Sequence, residues 1–187
     1  MFHHIEKSLL GFSHFSENQL LAITSRLKLC QLRKGERLIS EGHICRDFYF
    51  IESGSCRHYS VLEDGTEATL NLYIEGDWLF DYKSFMSQQP ANAIIEASED
   101  SDILILSGLD FHELIKTSDI FFRIGKIFEL AVQNQDFQRK KMTPEEKYTL
   151  LLSTRPQLIR RFALKHIASY LDLTPETISR VRRRIIS

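Results

Sequence analysis

The chain has 187 residues, 43% of them hydrophobic and 26% charged, the make-up of an ordinary globular protein with room for one core-bearing domain and a small appendage. No stretch approaches the ~20 apolar residues of a membrane span, and the N-terminus lacks a basic segment followed by a long apolar run. A cytoplasmic protein with no membrane partner is therefore expected. Cys30, Cys45 and Cys56 are odd in number, widely spaced and without a CxxC pair, so they are expected to be packing residues and not a disulfide framework. The formal net charge of −1 conceals a strong asymmetry. Residues 139–187 hold 12 Lys+Arg and 4 Asp+Glu, a net of +8, whereas residues 1–138 hold 12 and 21, a net of −9. A basic appendage on an acidic body is the footprint of polyanion binding.

Residues 5–29 read as helical, with Ile5, Leu9, Leu10 and Phe12 followed by Leu20, Leu21, Ile23 and Leu27; Ser16-Glu17-Asn18-Gln19 between them has the form of a capping box. From Leu29 to Ser107 the pattern changes to short runs rich in β-branched and aromatic residues. Asp64-Gly65 between two such runs predicts a hairpin. Gly35, Gly42, Gly54, Gly65 and Gly76 recur at intervals of 7, 12, 11 and 11, which suits an antiparallel sandwich or barrel and not a βαβ fold. The fold class expected is thus α+β.

After Gly108 the pattern is helical. Residues 109–116 form a short helix, and Ser118 caps a long one reaching about Lys141. Ile120, Ile124, Ile127 and Ala131 follow 4-3-4 spacing, the seam of a coiled coil, with Phe121, Phe128 and Val132 widening the stripe. A helix packed only on its own domain has the same periodicity. Pro144 ends this helix, and Thr143 can cap the next, Glu145 to Leu152.

The end of the chain carries the sharpest pattern. Leu164, Ile167, Ala168 and Leu171 make the apolar stripe of a short helix; Asp172-Leu173 interrupts it, and Thr174-Pro175 restarts it with a capping hydroxyl and a proline at the first helical position. In the second helix Ile178, Val181 and Ile185 are expected inward, with Glu176, Thr177, Arg180 and Arg183 outward. Two short helices with a tight turn, the second basic, describe a DNA-binding helix-turn-helix. Arg180 can offer two donors to guanine O6 and N7, and Glu176 can accept from cytosine N4. Thr174, Thr177, Arg182, Arg183 and Arg184 are read as phosphate contacts, with Ser179 completing the DNA-facing set.

Ile167-Ala168 and Thr174-Pro175-Glu176-Thr177-Ile178-Ser179-Arg180 resemble the helix-turn-helix of the Crp/Fnr family of bacterial transcription regulators, whose reading helix carries a Glu-Thr pair and, three residues later, an Arg. Asp172 stands where that turn usually has Gly; Asp tolerates a left-handed backbone better than most residues. The glycine-punctuated strands resemble the β-roll of the cyclic-nucleotide-binding superfamily, a jelly-roll-like double-stranded β-helix. The resemblance implies three parts: a sensor at 1–117, a dimerisation helix at 118–142 and a DNA-binding segment at 143–187. It also implies a homodimer on double-stranded DNA, with RNA polymerase a candidate partner. The interval from Thr154-Arg155-Pro156 to Phe162 is short for the β-hairpin wing of many relatives, so Arg160, Arg161 and Lys165 are candidate replacements for its phosphate contacts.

The effector site departs from the family. Its phosphate-binding cassette runs from a Gly-Glu pair, matched here by Gly76-Asp77, to an Arg followed by Ser or Thr. This chain instead has Ala91-Asn92, and Lys83 is the sole Lys or Arg from His58 to Ile115. A buried cyclic phosphate needs a fixed cationic partner. No cofactor is expected and the effector is unknown; Trp78, Phe80, Tyr82 and Phe85 could hold an apolar ligand or be plain core. Scattered histidines and the lack of a phosphate loop or nucleophile elbow argue against an enzyme or a metal site. Two readings remain: a DNA-binding regulator, and a signalling module whose C-terminal helices bind a protein.

Overall fold

The computed structural model describes residues 3–126 and 142–186. Two helices come first, α1 (His3–Phe12) and α2 (Glu17–Thr24), and Ser16 and Gln19 close the expected capping box at the start of α2. Eight strands follow: β1 (Lys28–Leu32), β2 (Arg37–Ile39), β3 (Asp47–Ser53), β4 (Ser55–Val61), β5 (Glu67–Ile74), β6 (Trp78–Leu79), β7 (Ile94–Ala97) and β8 (Ser101–Ser107), with α3 (Tyr82–Ser87) between β6 and β7. They form two antiparallel four-stranded sheets, ordered β1-β8-β3-β6 and β2-β7-β4-β5. The strand pattern predicts an antiparallel sandwich or barrel, and the sheets take the jelly-roll-like β-roll form that the resemblance implies.

Alternation sets which side chains enter the roll. In β4, Cys56 pairs with Ala97 and His58 with Ile95. Cys56, Ile95 and Ala97 join Phe48, Phe50, Ile103 and Leu104 in the main core. Burial raises the Cys45 and Cys56 thiols to about 11 and about 12, so both are inert packing residues, as expected. Two glycines make the turns. Gly54 (φ +95°) joins β3 to β4, where a Cβ would stand 2.2 Å from Ser101 Oγ. Gly65 (φ +80°) follows Asp64, whose carboxylate accepts from Thr66 N, at the tip of the β4–β5 hairpin.

After α4 (Gly108–Thr117), Ser118 caps a 3-10 segment, Asp119–Gly125, in place of the expected long α-helix at this point. Its Phe121 stacks on Phe15, and Ile124, 1% exposed, joins the main core with Ile120 packed beside it. Ile120 and Ile124, read by spacing as seam residues, both pack against their own domain. Ile127 and Ala131, the other two seam residues, fall outside the described residues.

The C-terminal segment is α5 (Pro144–Thr154), α6 (Pro156–Arg161), α7 (Leu164–Tyr170) and α8 (Pro175–Ile186). Thr143 and Glu146 form a capping box for α5, with Pro144 in the first turn. A second core gathers Tyr148, Leu151, Leu158, Phe162, Ile167, Ala168, Leu171, Ile178 and Val181, and it includes Leu72 from β5. Leu72 and its same-face neighbour Ile74 point away from the roll, so the small helical unit is built on the outer side of the β2-β7-β4-β5 sheet. Strand β5 is the edge of its sheet, and α7 covers it: Ser169 Oγ accepts from Thr69 N at 2.8 Å.

Candidate nucleic-acid interface

Helix α7, a tight turn and α8 form the helix-turn-helix. The turn depends on Asp172, whose φ of +55° is the left-handed conformation that its departure from Gly requires. Leu173 N then bonds back to Ala168 O at 2.9 Å. Beneath the turn, Lys147 is 8% exposed and donates through Nζ to Leu171 O at 2.8 Å, so a buried ammonium satisfies a carbonyl at the end of α7. Thr174 caps α8 by accepting from Thr177 N at 3.2 Å.

The outward face of α8 holds Thr174, Glu176, Thr177, Arg180, Arg183 and Arg184 around one shallow concavity. Thr177 Oγ1 lies 3.1 Å from Thr174 Oγ1 and accepts from Arg180 Nη2 at 3.3 Å. This i, i+3 chain of polar groups orients the Arg180 fork along the helix. Glu176 is fully exposed, and backbone and Thr174 hydrogen bonds hold its carboxyl below the usual range. Ile178 and Val181 are buried as predicted, but Ile185 is 39% exposed, one turn beyond the supporting helices.

Arg182 differs from its expected role. Its Nε donates to the Tyr148 hydroxyl at 2.8 Å, so its guanidinium packs against α5 and is not presented with Arg183 and Arg184. Among the proposed wing replacements, Arg161 is likewise engaged: Nη1 bonds Glu75 Oε2, and Nε lies 2.7 Å from Glu99 Oε1 on the roll. Arg160 and Lys165 are exposed.

The cassette positions are distributed differently from a ligand cradle. The Asp77 carboxylate accepts from Ile74 N at 2.9 Å and from Arg155 Nη2, so it closes its own turn and holds the helical unit at once. Gly76 carries the turn at φ +87°. Ala91 is buried, its N–H donating to His43 O and its carbonyl accepting from Gly42 N, while Asn92 and Lys83 are exposed. Trp78 lies between Phe12 and Phe50 and donates to Ser8 Oγ at 3.0 Å; Phe80 and Phe85 pack around Phe48. These aromatics are core. A polar pair does enter the roll: His58 Nε2 stands 3.4 Å from Asp81 Oδ2. Burial opposes ionisation of Asp81, yet the His58 imidazole and the Ser84 amide hold its carboxyl below the usual range.

Arg57 is a contact between the roll and the helical unit that sequence reasoning missed. It is buried on the outer face of β4, stacked 3.9 Å over Tyr59, paired with Glu67 at 2.7 Å and donating to His166 Nδ1 of α7 at 3.1 Å. Nothing local marks it, because its partner is 109 residues away.

Residues 29–118 match the cyclic nucleotide-binding domain family. Over nearly the whole chain the fold matches a protein from Eubacterium rectale assigned to the Crp/Fnr family of transcriptional regulators, with a TM-score of 0.61 and 19% identity, covering 91% of this chain and 83% of that one. The chain has the Crp/Fnr fold. In sequence it is 26% identical to the cyclic AMP receptor protein of Thermus thermophilus, over 79% of this chain and 72% of that protein. It is 28% identical to the cAMP-dependent protein kinase regulatory subunit of Debaryomyces hansenii over 62% of this chain. The match spans about a quarter, 24%, of that subunit's length. In this chain the roll is followed by a helix-turn-helix, and no helix among the described residues is long and apolar enough to cross a membrane.

Proposed function

We propose that this chain is a homodimeric, sequence-specific DNA-binding regulator of transcription whose β-roll does not take a cyclic nucleotide by the usual phosphate–arginine pairing. The observation that carries the DNA reading is the outward face of α8: a capped, basic helix with Glu176 and a Thr177-oriented Arg180 exposed at its start. Arg180 reads a base edge; Arg183 and Arg184 hold phosphates. A two-fold dimer places two such helices on half-sites one helical turn, about 34 Å, apart. Support for a dimer comes from the Crp/Fnr fold and from the apolar spacing that continues through Ile127 and Ala131.

Support for the altered pocket comes from three positions. The Asp77 carboxylate is held by Arg155, Ala91 and Asn92 supply no charge, and Lys83 is exposed on α3. A phosphate taken out of water without a fixed counter-charge costs several kcal/mol. About 4 kcal/mol turns micromolar affinity into millimolar.

Titrating a mixed-sequence duplex at several salt concentrations tests the DNA reading. The expected result is binding whose logarithm falls linearly with log salt, by about 0.9 for each phosphate neutralised. A flat slope, or no binding at low salt, removes the proposal. Calorimetry with cyclic AMP and cyclic GMP tests the pocket, and saturable low-micromolar binding of either overturns that part.

A further inference from the structure

Beside the apolar contacts of Leu72, two ion pairs between the roll and the helical unit share one turn. Between β5 and β6, Glu75 and Asp77 each hold a guanidinium from the far side of the interface, Arg161 and Arg155 respectively. Glu99, in the β7–β8 turn, adds a second carboxylate to Arg161. These sensor acids occupy arginines of the DNA-binding unit in the manner of phosphates. Because Asp77 also accepts from Ile74 N, the shape of the turn and its grip on Arg155 depend on one carboxylate.

The docked position has a second consequence. The tip of the β4–β5 hairpin stands across a groove of about 660 Å³ from the start of α8, with Leu62, Thr66 and Glu67 on one wall and Lys165, Thr174 and Pro175 on the other. Glu63 and Asp64 are exposed at the same tip. A duplex carries one negative charge per ~1.7 Å of its axis, and repulsion acts over a Debye length of ~8 Å at physiological salt. DNA approaching the N-terminal end of α8 therefore meets this acidic tip while the unit is docked.

We infer that the β5–β6 turn is a latch: through Glu75 and Asp77 it holds the DNA-binding unit against the sensor in a position of low DNA affinity, and release of the turn raises that affinity. The inference rests on the DNA-binding reading above. It assigns Glu75 and Asp77 as positioning residues that act through Arg161 and Arg155, without touching DNA.

The test uses the full chain with Glu75→Gln and Asp77→Asn together. Both changes keep shape, and the Asn oxygen can still accept from Ile74 N, so the turn survives while its own two ion pairs go and Arg161 keeps Glu99. Affinity for a mixed-sequence duplex at fixed salt is compared with that of wild type and of Glu17→Gln/Glu41→Gln, which removes the same charge from exposed sites outside the latch. The expected result is an affinity gain of about fivefold or more in the latch variant and less than twofold in the control, with faster amide exchange at Thr69, whose N–H is covered by Ser169. Unchanged or weaker binding in the latch variant overturns the inference, as does an equal gain in the control or unaltered exchange at Thr69. A wild-type protein that binds no DNA at low salt overturns the functional reading itself. Normal wild-type binding with an unresponsive latch variant overturns the latch alone.

Discussion

Arg182 Nε and the Tyr148 hydroxyl are 2.8 Å apart and tie α8 to α5. The bond divides the Arg182–Arg184 run by role: one member is structural, and Arg183 and Arg184 line the exposed face. Arg182→Ala is expected to destabilise the helical unit by about 1.5–3 kcal/mol, the range for a hydrogen bond to a charged group. Urea unfolding checks this. Tyr148→Phe should cost a similar amount, with the double variant costing clearly less than the sum. Arg183→Ala should leave the unfolding midpoint unchanged and weaken binding to all DNA sequences about equally.

Arg180→Ala is expected to lower affinity at a cognate site by about 1–3 kcal/mol and to relax specificity at one base position. Selection from a randomised duplex pool measures both. Thr177→Val keeps the shape of the side chain but removes the acceptor 3.3 Å from Arg180 Nη2. It should cost less at the cognate site and still blur the same position. Discrimination left intact by Arg180→Ala moves the reading face elsewhere.

Ile124→Glu is expected to unfold the sensor and not merely to split a dimer, because Ile124 is 1% exposed within its own domain's core. Placing a carboxylate there without a partner costs several kcal/mol. Ile127→Glu tests the dimer instead. Light scattering should report monomers with a retained thermal transition; an unchanged dimer of unaltered affinity would place the interface outside the seam.

Stability should fall on acidification through His166. Burial first, then the neighbouring Arg57 and Lys165, push its pKa down from 6.5 to about 4, against a weaker upward pull from Glu67. The folded state therefore prefers the neutral ring, whose Nδ1 accepts from Arg57. The stabilisation is complete above the unfolded value of ~6.5 and is lost as pH falls from there toward about 4, since protonation favours the released or unfolded chain. Urea midpoints at pH 7.5 and 5 should differ in that direction, and His166→Gln should reduce the difference. A midpoint that is flat, or that rises, between these two values removes His166 from the linkage.

The elements legible in the sequence were those whose signals are local. Ser16 with Gln19 and Thr143 with Glu146 are caps closed within four residues, Asp64-Gly65 is a hairpin turn, and Thr174-Pro175 starts α8 where it should. Period-2 and period-3.6 patterning separated the roll from the helices because backbone geometry imposes those periods directly. The outward set Glu176, Thr177 and Arg180 followed from the same arithmetic. What the sequence could not decide was which face a stripe serves and which charge meets which. Ile120 and Ile124 fit a coiled-coil seam by spacing, yet the roll claims them, because periodicity marks an apolar face without naming its partner. Arg182 differs from Arg183 only by a Tyr148 hydroxyl 34 residues away. Asp77 looked like a ligand residue until the fold brought Arg155, 78 residues later, onto its carboxylate, and Leu72 closes the core of a unit that begins far beyond it. Local hydrogen bonding and steric preference are written in short stretches; the pairing of buried charges and apolar faces is settled only when distant segments compete for them in three dimensions.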